Sequence, residues 1–125
     1  MPQPLNAVIA GSKSFVEAVQ PQLQLRLGAA PEVATDPAAA LQACARRGGL
    51  LVFEHGAPEW AEALRSLRGR QGPVAVAVIA AVADLASAAQ PLEGVDEVVP
   101  WQGRPDPVMW AVERIVARAR GVAAP

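Results

Sequence analysis

Cysteine occurs once in the 125 residues, at Cys44, so neither an intramolecular disulfide nor a multi-cysteine metal site can form. Its setting in the alanine-rich run Ala38–Ala45 marks it as a small core residue. Histidine, lysine and threonine also occur once each, at His55, Lys13 and Thr35. A lone His55 with no carboxylate pattern beyond Glu54 supplies neither a metal cage nor a catalytic triad. No basic segment followed by an apolar stretch opens the chain, and the longest apolar run, Val74–Ala83, falls far short of the ~20 residues that span a bilayer. A soluble, cytoplasmic protein without a membrane partner is therefore expected. The net charge of −1 and a pI near 5.8 leave no basic field for phosphates, which argues against nucleic acid as a partner.

What is present fits one domain, since 125 residues are enough for one core at ~100–150 residues per domain. Five short apolar runs alternate with five helical segments. The runs Ala7–Ala10, Glu32–Ala34, Leu50–Phe53, Val74–Ile79 and Glu97–Val99 read as strands. Helices are expected at about Ser14–Leu27, Pro37–Arg46, Pro58–Arg68, Val82–Ala89 and Asp106–Arg120. Ser12 or Ser14 caps the first, Asp36 before Pro37 caps the second, Gly48-Gly49 ends it, and Asp106 before Pro107 caps the last. Pro21 should bend or split the first helix. Strand–helix alternation predicts an α/β fold with a doubly wound five-stranded parallel sheet. Right-handed crossovers favour the order 2-1-3-4-5, with residues 1–121 as the domain and 122–125 as a tail or the start of a linker. In that order the ligand position lies at the carboxyl ends of the first and third strands, where Glu54 closes the run Leu50–Phe53.

Several segments together resemble the CheY-like receiver domain of bacterial response regulators over almost the whole chain. Glu32–Leu41 resembles that family's second strand and the start of its second helix, and Leu50–Glu54 with Pro58 its third strand, phosphoacceptor position and following proline. Pro73-Val74 opens a fourth strand, Gly94–Val99 is similar to the turn and fifth strand, and Pro105, Val108, Met109, Val112, Ile115 and Val116 match the last helix. Receiver chemistry implies two acids after the first strand for Mg²⁺, an acceptor aspartate, a hydroxyl ending the fourth strand and a lysine ending the fifth. Here the acceptor position holds Glu54, one methylene longer, and Ala10, Gly11 and Ser12 carry no acid. Val78-Ile79-Ala80 carries no hydroxyl, and the lysine position falls on Trp101 or Val99. The resemblance thus implies a pseudo-receiver with no metal or other cofactor and no enzymatic activity.

Gly11, Ser12, Lys13, Glu54, Val78, Ile79 and Trp101 are the expected members of the degenerate phosphoacceptor pocket. Glu54 is either a built-in negative charge or a solvated acid, and a Lys13–Glu54 pair would stand in for the missing metal. Gly11-Ser12-Lys13-Ser14 has one glycine where a P-loop needs two, and reads as a capped helix start. Trp60 is expected as a lid on the core. Trp110 projects away from the stripe Val108, Met109, Val112, Ile115 and Val116. With Trp101, Arg114 and Arg118 it forms an expected protein interface on the face that receivers build from the fourth helix, fifth strand and last helix. The resemblance therefore implies a phosphorylation-independent interaction module in bacterial signalling or protein localisation, bound to a partner protein or to itself. Receiver-like domains also head larger proteins, including ATPases that localise pilus-assembly machinery. The other reading is a flavodoxin-like domain that binds a small ligand or acts as an enzyme at the carboxyl edge of the sheet.

Overall fold

A strand whose side chains are all apolar must be covered on both faces, and β1 (Ala7–Ala10) is buried at all four positions. The computed structural model describes residues 6–47, 49–56, 59–69, 76–83 and 95–119. After β1 come α1 (Lys13–Leu27), β2 (Glu32–Ala34), α2 (Pro37–Arg47), β3 (Gly49–Glu54), α3 (Glu59–Gly69), β4 (Val76–Val82), β5 (Glu97–Pro100) and α4 (Asp106–Ala119). The strands form one sheet in the order β2-β1-β3-β4-β5, and every pairing is parallel. This is the doubly wound, flavodoxin-like α/β sheet that the strand–helix alternation predicts.

The period of two along each strand divides the core. Ile9, Leu50, Val52, Ile79 and Val99 pack with Phe15, Val19, Leu23 and Leu27 of α1 and Val108, Val112 and Ile115 of α4. Val8, Ala10, Leu51, Phe53, Val78 and Ala80 face the other way, against Ala40, Ala43 and Cys44 of α2 and Trp60 and Leu64 of α3. Alanines at Ala40 and Ala43 let α2 lie close to the sheet. Each fully buried Val, Leu, Ile or Phe contributes roughly 1.5–3 kcal/mol. Gly49 starts β3 at φ +90°, and a Cβ there would stand 2.2 Å from the Asn6 carbonyl oxygen, which Leu50 N–H bonds at 2.8 Å.

Three expectations about the elements change. Pro21 does not split α1, which runs unbroken from Lys13 to Leu27. Pro21 is solvent-facing, so the carbonyl it leaves unbonded is on the wet side, and the buried Phe15, Val19, Leu23 and Leu27 hold the helix on both sides of it. β4 extends three residues past Ile79 to Val82, where a helix was expected to begin. Ala83 forms a bend, and the rest of that expected helix, the start of β4 at Val74 and the tail at 122–125 lie outside the described residues. The expected caps are present at Ser12, whose Oγ accepts from Phe15 N–H at 3.3 Å, and at Asp36, whose Oδ1 accepts from Ala39 N–H at 2.7 Å. At the last helix Asp106 is the first helical residue instead of the cap. There its carboxylate meets the positive end of the helix dipole.

Candidate functional site

Parallel strands end on one edge, and the loops after β1, β2 and β3 meet there at the point where the strand order reverses. They enclose a cleft of about 820 Å³, lined in part by Gly11, Ser12, Asp36, Glu54, His55, Glu59 and Trp60. Its apolar wall comes from Ala10, Pro37, Ala38, Trp60 and Ala83. Trp60 is a lid on the core, as expected: it is buried and stacks on Phe53 with ring centroids 4.1 Å apart.

Glu54 is the last residue of β3, half-buried, and its Oε1 accepts from the Ser12 backbone N–H at 2.8 Å. The carboxylate therefore lies at the start of α1, whose exposed backbone donors and dipole favour negative charge. Gly11 makes the approach possible: a Cβ there would sit 2.7 Å from Phe15 Cδ2 and 2.9 Å from Glu54 Cβ. Gly11, Ser12 and Glu54 thus come together as one contact between β1, α1 and β3.

The other expected pocket residues go elsewhere. Lys13 does not pair with Glu54. Its ammonium lies 3.8 Å from Glu17 one turn along α1, with the lysine side chain 90% exposed. Val78 and Ile79 are fully buried in mid-strand, level with Leu51 and Val52, so Ala81 is the residue beside Glu54. Trp101 is a core residue, set edge-to-face on Phe15 with centroids 4.9 Å apart, and does not line the cleft. That burial also removes it from the expected outer interface. Its backbone N–H bonds Val82 O at 2.7 Å and continues the β4–β5 ladder.

Trp110 is 62% exposed on α4, where the helical spacing puts it. Arg114 and Arg118 both reach Glu97 on β5, at 3.0 and 2.6 Å. The hydrogen bond from Arg114, aided by the charges of both guanidinium groups, holds the Glu97 carboxyl below its ordinary value against the opposing effect of burial. These arginines tie α4 to the sheet edge beside Trp110. On the opposite flank of α4, Glu113 pairs with Arg26 of α1.

Asp36, His55 and Glu59 were not expected at the site, although the topology places the loops after β2 and β3 there. His55 packs its ring edge-to-face with Phe53 at 6.0 Å, and its Nδ1 is shielded from solvent with no hydrogen-bond partner. Among the described residues, no three His, Cys, Asp or Glu side chains converge closely enough to hold a metal ion. No helix among them is long and apolar enough to cross a membrane. Comparison with models of protein families, with curated proteins and with solved structures finds no match to this chain.

Proposed function

We propose that this domain is a phosphorylation-independent, receiver-like interaction module that serves bacterial signalling or protein localisation from the cytoplasm. The observation that carries the reading is the Glu54–Ser12 hydrogen bond of 2.8 Å. In a receiver the phosphoacceptor closes the third strand; here that position holds a carboxylate already bound by the chain's own backbone. The end of β1 and the loop after it offer Ala10, Gly11 and Ser12 where acids would be needed, and β4 ends Ala80-Ala81-Val82 without a hydroxyl. The domain works by shape and surface, without catalysis and without a cofactor. Trp110 on α4 beside β5 is the contact for a partner protein or a second copy, and neither nucleic acid nor a membrane is its target.

Incubation with acetyl phosphate, or with beryllofluoride and Mg²⁺, is expected to leave both mass and tryptophan fluorescence unchanged. A saturable response would restore a conventional receiver and end this reading. Light scattering of the wild type against Trp110→Ala tests the surface: reduced assembly is expected, and unchanged assembly removes the α4 face from the proposal. The cleft of about 820 Å³ favours a second reading, a flavodoxin-like domain holding a small ligand at the sheet edge.

A further inference from the structure

The starts of α1 and α2 at the cleft are already filled by the chain itself. Ser12 N–H is bonded to Glu54, Phe15 N–H to Ser12 Oγ, and Ala39 N–H to Asp36. An anionic guest would compete with these groups and meet the carboxylates of Asp36, Glu54 and Glu59. Among the described residues lining the cleft there is no lysine or arginine.

The negative charge is divided between the connection after β2, at Asp36, and the two ends of the connection after β3, at Glu54 and Glu59, instead of gathered into a metal cage. Spread carboxylates beside an apolar wall suit a flat, many-donor cation on a methylene stem, which is the form of an arginine side chain. A cleft of about 820 Å³ exceeds one such side chain and admits adjoining backbone as well. His55, whose Nδ1 has no partner, stands in the same wall.

We propose that this cleft docks an arginine-bearing segment of a partner protein, on a surface separate from Trp110. The proposal rests on the interaction-module reading and specifies the chemistry of its partner. Glu54, held by Ser12 N–H through Oε1, presents its second oxygen as the fixed acceptor; Asp36 and Glu59 supply the outer charge.

The test is titration of the ¹⁵N-labelled domain with a blocked Gly-Gly-Arg-Gly-Arg-Gly peptide, its citrulline analogue and arginine amide, read at the amides of Ser12, Asp36, His55 and Glu59. Saturable shifts with the arginine peptide and none with the citrulline peptide are expected. Glu59→Gln should weaken binding roughly threefold, as for an exposed pair. Glu54→Gln keeps an acceptor for Ser12 N–H and should weaken binding roughly tenfold. Trp110→Ala should bind as the wild type does, and light scattering on the same samples reports the Trp110 surface separately. Equal binding of the citrulline peptide, or no shift at the cleft, overturns the proposal. An arginine amide response as strong as the peptide's would also overturn it, by making the site one for a small cation.

Discussion

At the scale of single residues, Gly11 and Glu54 are a matched pair, because the carboxylate reaches Ser12 N–H only past a residue without a side chain. Gly11→Ala would place a Cβ 2.7 Å from the Phe15 ring and 2.9 Å from Glu54 Cβ. Phe15 is fully buried and cannot retreat without disturbing Trp101. We expect a loss of about 1–3 kcal/mol, read as a lower urea midpoint with an unchanged m-value, as for other overpacked sites. Stability equal to wild type would show that the contact is looser than described. Cys44 gives a second test. Burial between α2 and the sheet, with a smaller push from the charge of Glu32, raises its thiol to about 11. At pH 8 it should react with a thiol reagent only as fast as the protein opens, and urea should accelerate the reaction in step with unfolding. The reading of Cys44 as a core residue needed only its alanine-rich neighbours. The partners of Glu54 needed more: one carboxylate had a choice of Lys13 or a backbone N–H, and only the path of the loop decides between them.

At the scale of elements, the sequence located strands and helices well where a cap or glycine marks the boundary. It failed where the composition is uniform. Val76–Ala83 is built only of Val, Ala and Ile, so nothing in it distinguishes the last turn of a strand from the first turn of a helix. That slip moved the expected pocket from Ala81 back to Val78 and Ile79. Pro21 misled for a different reason: its cost falls on a solvent-facing carbonyl. Pro21→Ala should restore one helical bond and stabilise the protein by about 1–2 kcal/mol, less than the full helix-propensity difference because the unfolded chain also gains freedom. A destabilised variant would show that the ring itself packs usefully. The tie between α4 and β5 adds a pH dependence. Glu97 is depressed in the folded state, so its stabilising effect is complete above the unfolded value near 4.5 and is lost as pH falls through the lower folded value. Glu97→Gln should therefore be less stable than wild type at pH 7, by about 1 kcal/mol, and the gap should close toward pH 3. A gap independent of pH would assign the effect to packing instead of charge.

At the scale of the whole molecule, the fold was legible and the site only partly so, for one physical reason. A parallel sheet covered on both faces writes itself into the chain as continuous apolar strands separated by amphipathic helices, and right-handed crossovers then leave few orders to choose from. A site formed by three loops from different parts of the chain has no such period: Asp36, His55 and Glu59 become neighbours of one cleft only after the strands are ordered. Strand order also sets how stability is distributed. β1, β3 and β4 each have a strand on both sides, while β2 and β5 are edges. β2 is only three residues long, and its Val33 is 46% exposed. Opening β2 releases the Asp36 cap region and one wall of the cleft without breaking the β1–β3–β4 centre. In native-state hydrogen exchange, the amides of Ile9, Val52 and Ile79 should exchange only through global unfolding, and those of β2 at least ~10-fold faster through local opening. If β2 were as protected as Val52, the wall carrying Asp36 would be as rigid as the core, and the cleft would have to accept its guest without any movement of that wall.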